Sequence, residues 1–146
     1  MTDHTPAAPA EKFVGDFMSA MDPGNPASMV FSMSTYQVFD EEAPTVVMAY
    51  AAGNLGIVMW NLLPGQENDY HLHPEMEHLQ IVTKGEVEYT IGDEPPVTLA
   101  VGHAVLVPAG VAHGIRNTSN APASYLAVTD ATGGYEKVVV ERNARP

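Results

Sequence analysis

Residues 65–85 read "GQENDYHLHPEMEHLQIVTKG", from Gly65 to Gly85, and the reading of this stretch decides the fold. It gathers three histidines, His71, His73 and His78, and two carboxylates, Glu75 and Glu77, into eight consecutive residues. Along a strand, residues i and i+2 point the same way with Cα atoms roughly 6.6 Å apart, so His71 and His73 can converge on one ion from one face. A His-x-His pair taken alone is more often a surface or hydrogen-bonded pair than a metal site. Its meaning depends on the sequence around it.

That sequence is written in strands. From about residue 28, short runs rich in Val, Ile, Thr, Tyr and Met, separated by Gly, Pro, Asn and Asp, recur at intervals of roughly ten residues, as in an all-β sandwich or barrel. The expected strands are 28–31, 35–39, 45–51, 56–63, 69–73, 77–83, 86–91, 96–100, 104–108, 113–117, 123–129 and 135–142. In "EVEYTI", Val87, Tyr89 and Ile91 share one face while Glu86, Glu88 and Thr90 share the other, so one side is wet. "GDEP", at 92–95, supplies the residues a tight hairpin needs. "GIVMWNLL" is apolar on both faces and is expected to be covered on both; Met59 and Trp60 alternate there, so only one of them faces inward.

Ahead of the strands, residues 1–10 read as a disordered arm. "EKFVGDFMSAM" then places Phe13, Val14, Phe17 and Met18 at helical spacing, which predicts one short helix ended by "DPGNP". The expected organisation is an arm and helix over 1–27 and a single barrel over 28–146.

Composition narrows the chemistry. A chain of 146 residues makes one domain, which buries roughly 70% of its unfolded surface. It has no cysteine, so disulfides, thiolate metal sites and cysteine nucleophiles are excluded, and a metal must rely on nitrogen and oxygen. Six basic against eighteen acidic residues give a net charge of -12, which repels phosphate backbones and anionic membrane surfaces. Nucleic acid and membranes are therefore not expected partners. With no apolar run near the roughly 20 residues a span needs and no targeting signal, a soluble cytoplasmic protein is expected.

The histidines belong to a longer pattern: Gly65, five residues, His71-x-His73, four residues, His78, six residues, Gly85. Sixteen residues later comes a second block: Gly102, five residues, Pro108-x-Gly110, two residues, His113, three residues, Asn117. Over residues 56–129 these blocks resemble the paired motifs of the cupin family, and ten fixed positions at set spacing are far harder to obtain by accident than one short motif. The resemblance implies a small all-β barrel of the double-stranded β-helix, or jelly-roll-like, kind. It also implies one divalent transition metal ion near the centre, with Fe, Mn, Ni, Cu and Zn all open.

In most cupins the first motif ends in a glutamate ligand, and here Glu77 and His78 compete for that place. Counting six residues back from Gly85 lands on His78, whereas Glu77 leaves seven. Strand alternation argues the other way, because Glu77 shares its face with Leu79 and Ile81, the greasier pair, while His78 shares its face with Gln80 and Val82. In the cupins this strand resembles, the face opposite the metal is commonly apolar too. The motif spacing therefore selects His71, His73, His78 and His113 as the metal ligands, with Glu77 at the rim or an interface. Four neutral imidazoles leave a divalent ion its full charge, so bound water or an enolisable substrate is acidified more strongly than beside a carboxylate ligand.

Around the ion, Gln80 is expected to point inward, to hydrogen-bond a substrate or orient a ligand imidazole. Val87 and Tyr89 are expected inside; Met29, Met33, Met48, Met59 and Met76 are candidates for irregular gaps or an adaptable apolar pocket. His4 and His103 are expected in solvent. The resemblance implies first a dioxygenase-type oxidoreductase acting on a small organic, aromatic or diketone-like substrate. A redox-neutral cyclase, isomerase or lyase using the ion as a Lewis acid is the alternative, with Glu75 or Glu77 as a candidate base at the mouth. A binding protein without turnover is the third reading. The apolar face bearing Leu79 and Ile81 needs cover, and a homodimer is expected to provide it.

Overall fold

The computed structural model describes residues 10–14, 21–130, 132 and 136–141. Eleven strands form two sheets: β1 Lys12–Phe13, β2 Thr45–Ala52, β3 Leu55–Leu62, β4 Glu67–Leu72, β5 His78–Lys84, β6 Glu86–Ile91, β7 Val97–Ala100, β8 Ala104–Val107, β9 His113–Arg116, β10 Ala123–Asp130 and β11 Val138–Val139. The larger sheet runs β1-β2-β3-β10-β5-β8 and the smaller β11-β4-β9-β6-β7. Every pairing is antiparallel except β1 with β2. This is an all-β, double-stranded β-helix barrel. Among the described residues no helix is long and apolar enough to cross a membrane.

Inward-facing residues of both sheets meet in one core built on Val46, Trp60, Val82, Val87, Tyr89 and Tyr125. Trp60 and Tyr125, opposite each other on β3 and β10, stack with ring planes 5° apart and centroids 6.1 Å apart. Such a pair adds roughly 0.5–1.5 kcal/mol beyond the area it buries, which fixes Trp60 inward and sends Met59 to the outer face. There Met59 packs with Met21, Tyr36, Val47 and Ala49 in a second cluster.

The described residues before position 40 depart from expectation. Residues 28–31 and 35–39, read as strands, instead carry two 3-10 turns, Pro26–Met29 and Met33–Tyr36. This segment belongs to the second, outer cluster, so its backbone pairs locally through i→i+3 bonds rather than with a strand edge. Asn61 Nδ2 pins it by donating to the Tyr36 carbonyl at 2.9 Å. The helix expected over 11–21 begins as a strand: Lys12 N–H donates to the Pro44 carbonyl at 2.9 Å and Val14 N–H to the Val46 carbonyl at 3.1 Å. The open edge of β2 outcompetes the helical pattern of so short a segment. Phe17 and Met18 lie outside the described residues, as does His4. Of the strand expected at 135–142, residues 135 and 142 lie outside the described residues, and Val138–Val139 forms the strand, against Leu72 and His71.

Candidate metal centre

The two motif blocks are tied together by their backbones. Gly65 N–H donates to the Asn117 carbonyl at 2.8 Å, and Asn117 N–H returns a bond to the Gln66 carbonyl at 2.9 Å. Gly110 N–H donates to the carbonyl of His73 at 2.8 Å, so the "PAG" turn is clamped onto the first motif. The buried Asn117 side chain holds the β9–β10 connection, donating to the Leu62 and Ala121 carbonyls and accepting from Ser119.

These ties bring four imidazoles together. His71 on β4 stands opposite His113 on β9 in the smaller sheet, His73 follows the end of β4, and His78 opens β5 in the larger sheet. All four are buried. Ring centroids are separated by 4.3 Å for His71 and His113, 4.8 Å for His71 and His73, 5.1 Å for His73 and His78, and 4.7 Å for His78 and His113.

Three of the rings are oriented through Nδ1. His71 Nδ1 bonds the Asp69 carbonyl, His73 Nδ1 the Glu136 carbonyl at 2.8 Å, and His113 Nδ1 the Val111 carbonyl at 3.1 Å. A neutral imidazole that donates through Nδ1 presents a bare lone pair at Nε2. His71 Nε2 and His73 Nε2 lie 3.2 Å apart, so two lone pairs face each other, an arrangement that a shared cation relieves. His78 Nε2 and His113 Nε2 are buried with no hydrogen-bond partner among the described residues. A buried orphan of this kind costs roughly 1–3 kcal/mol, and a metal ion would satisfy both. Ligand nitrogens of His71, His73 and His113 lie within 4.8 Å of one another, and these three buried histidines could hold one ion. His78 falls outside that set, with its ring beside it.

Burial also sets the protonation. Desolvation pushes the imidazole pKa of His71 and His78 down to about 3 and that of His113 to about 4, and lowers His73 as well. The neighbouring imidazoles add to the effect. All four are neutral at physiological pH, the state a divalent cation requires. An all-nitrogen set suits Fe, Mn, Ni, Cu or Zn.

On β5 the structure turns His78, Gln80 and Val82 inward. Leu79 and Glu77 face out, and Glu77 is exposed. His103 is exposed, and its Nδ1 accepts from the Ala100 N–H at 2.8 Å.

Beside the histidines lies a cavity of about 320 Å³ whose wall includes Val46, Met48, Val58, Trp60 and Met76. Its polar side chains, besides the histidines, are Asn68, Tyr50, Gln80 and Thr129; no carboxylate lines it among the described residues. Met48 and Met76 thus join the pocket, while Met29 and Met33 are exposed. Asn68 was not among the residues singled out by sequence. Plain alternation sets it on the face opposite His71, but the register shifts between the two, and that irregularity turns both inward. Lys137 was missed as well: its ammonium lies 3.1 Å from Asn68 Oδ1 and 5.5 Å from the Trp60 ring centroid, and no local pattern marks it.

Comparisons with known proteins agree with this architecture. The family described as Cupin domain matches residues 58–129. Protein SchB of Streptomyces halstedii is 34% identical over 80 residues, a match covering 55% of this chain and 55% of that protein, so the chain spans just over half of this relative's length. An uncharacterized conserved protein with a double-stranded β-helix domain from Klebsiella pneumoniae superposes with a TM-score of 0.73 at 26% identity, over 80% of this chain and 95% of that one. A sugar phosphate isomerase from the cupin superfamily of Silicibacter pomeroyi gives a TM-score of 0.53 at 27% identity, over 56% of this chain and 54% of its own. The match runs from β3 to β10, across both histidine blocks and the strands that bring them together, and the chain belongs to the cupin family.

Proposed function

We propose that the protein is a metal-dependent enzyme that uses a four-histidine mononuclear centre on a small organic substrate, with dioxygenase-type oxidation as its reaction. One observation carries the reading: four buried imidazoles stand together, and three of them, His71, His73 and His78, border an apolar cavity of about 320 Å³ whose described lining offers no carboxylate. With no carboxylate in the described wall, the chemistry on this reading is left to the ion.

His71, His73, His78 and His113 would hold the metal. A bound redox-active ion supplies a site for substrate and oxygen and the capacity for one-electron exchange, whereas zinc would supply Lewis acidity alone. The protein's part is to keep the four rings neutral, to aim Nε2 through the backbone carbonyls of Asp69, Glu136 and Val111, and to exclude water with the Val46, Met48 and Val58 wall. Gln80 stands beside the histidines, where it can touch the substrate. Glu77 lies on the solvent side, and no proton transfer is assigned to it.

Redox-neutral isomerisation, cyclisation or elimination is the second reading, favoured by the 27% identity to a sugar phosphate isomerase. Metal analysis of tag-free protein, joined to oxygen uptake with a catechol and a 1,3-diketone, separates the two. Iron, manganese, nickel or copper with substrate-dependent oxygen uptake supports the oxidation. Zinc with no oxygen uptake supports the second reading and overturns the first; a ligand recovered unchanged overturns both in favour of a binding protein.

A further inference from the structure

Most polar side chains lining the cavity are already committed. Asn68 Nδ2 donates to the Tyr125 hydroxyl at 2.9 Å and its Oδ1 accepts from Lys137, while Thr129 Oγ1 is turned toward the Gly56 carbonyl. Gln80 differs. Its Oε1 accepts from the Tyr89 hydroxyl, and its Nε2 has no hydrogen-bond partner among the described residues although the side chain lines the cavity two positions beyond His78.

Tyr89 reaches Gln80 from β6, across the gap between the sheets, with its ring nearly parallel to that of His113 at 9° and 6.4 Å. Its hydroxyl is the donor of the pair, since an amide oxygen can only accept. Gln80 Oε1 is its acceptor among the described residues. Turning the amide over would set NH₂ hydrogens against the hydroxyl and leave the hydroxyl proton with no acceptor, which costs the desolvation of a buried donor. One orientation of the amide is therefore held, with both nitrogen hydrogens on the cavity side.

We propose that Tyr89 is a positioning residue that fixes the Gln80 amide with its nitrogen toward the ligand, selecting substrates that present an anionic oxygen, an enolate, phenolate or carboxylate, beside the metal. This rests on the four-histidine metal reading. Gln80 touches the ligand; Tyr89 acts through Gln80. A ligand offering a donor at that point meets two like hydrogens and is rejected.

The test uses the full-length protein loaded with Co(II), whose visible bands report the metal and its added ligands. Acetohydroxamate is the anionic oxygen probe and imidazole the neutral nitrogen control. Gln80→Met and Tyr89→Phe are each expected to weaken acetohydroxamate about tenfold, the scale of one hydrogen bond to a charged acceptor, with Co(II) and imidazole affinities within about twofold of wild type. Gln80→Glu, which sets a carboxylate where the amide donor stood, weakens acetohydroxamate more than Gln80→Met does. Unchanged acetohydroxamate binding in Gln80→Met and Tyr89→Phe overturns the proposal, as does an equal loss of imidazole. A wild-type protein that takes up no Co(II) sinks the metal reading itself, a result visible before any probe is added.

Discussion

Lys137 Nζ lies 3.3 Å from both carboxylate oxygens of Glu11, joining positions 126 residues apart. The side chains are only 12% and 17% exposed, so the pair sits largely out of water, steadied by Asn68 and the Trp60 ring. It binds the segment ahead of the barrel strands to the segment after them. The residue before Lys137 supplies the carbonyl that orients His73.

Removing one partner of a pair this buried strands the other charge. Glu11→Gln is expected to lower unfolding free energy by roughly 3 kcal/mol in chemical denaturation. Lys137→Met should also weaken metal affinity, because the Glu136 carbonyl loses its anchor. An unchanged denaturation midpoint in both variants would show that the latch contributes nothing.

His78 is buried beside His113 while Glu77 faces solvent. His78→Ala is therefore expected to reduce metal content at least several-fold and Glu77→Ala to leave it intact, by elemental analysis after dialysis. The reverse pattern would move the fourth ligand to Glu77.

Acid should unfold the metal-free protein sooner than its carboxylates alone predict. An unfolded histidine takes a proton near pH 6.5, whereas burial holds His71 and His78 neutral down to about 3 and His113 down to about 4. Between those values the unfolded chain binds more protons than the fold, so stability is full above about pH 6.5 and falls as pH drops toward 4. Below about 3 no further loss comes from these rings. A thermal midpoint that stays constant in metal-free protein from neutral pH down to the low end of this window contradicts the assignment.

Gly65 and Gly85 both have positive φ, at 85° and 65°, yet they are not equivalent. A Cβ at Gly65 meets nothing within 4 Å, but at Gly85 it would fall 2.5 Å from the Pro122 carbonyl oxygen and 3.2 Å from Ala123 Cα. Gly65→Ala should cost about 1 kcal/mol, the left-handed backbone alone. Gly85→Ala should cost clearly more, since backbone must move; equal melting temperatures for the two variants would refute this.

Leu79 and Leu106 face each other across β5 and β8 and are 36% and 63% exposed on the outer side of the larger sheet. If a second copy covers this face, as the exposed leucines lead us to expect, Leu106→Lys should shift the protein from dimer to monomer in sedimentation velocity. A wild-type monomer at micromolar concentration would count against the pairing.

From residue 45 to residue 130 the strands were legible because alternation and turn residues are local: "EVEYTI" is β6 to the residue, and the 45–51 and 123–129 runs match β2 and β10 within one residue at their ends. The described residues before position 40 were not. Residues 28–39 have strand-like composition, but a strand needs an edge to bond, and this segment packs on a sheet face instead. Likewise a helical spacing at 11–18 says nothing of the edge of β2 that takes Lys12 and Phe13.

What the sequence determined by itself was the fold and the strands that carry the histidines, because glycine turns, proline and period-two alternation act within a few residues and repeat at fixed spacing. Tertiary structure alone decided which face of β5 looks inward, since both faces carry apolar residues and periodicity cannot tell which of them the barrel encloses. It also decided the company the histidines keep: a register shift turns Asn68 inward, Tyr89 crosses between sheets to orient Gln80, and Lys137 meets Glu11 from the far end of the chain. These contacts join residues distant in sequence, and only the closing of the barrel sets them within reach.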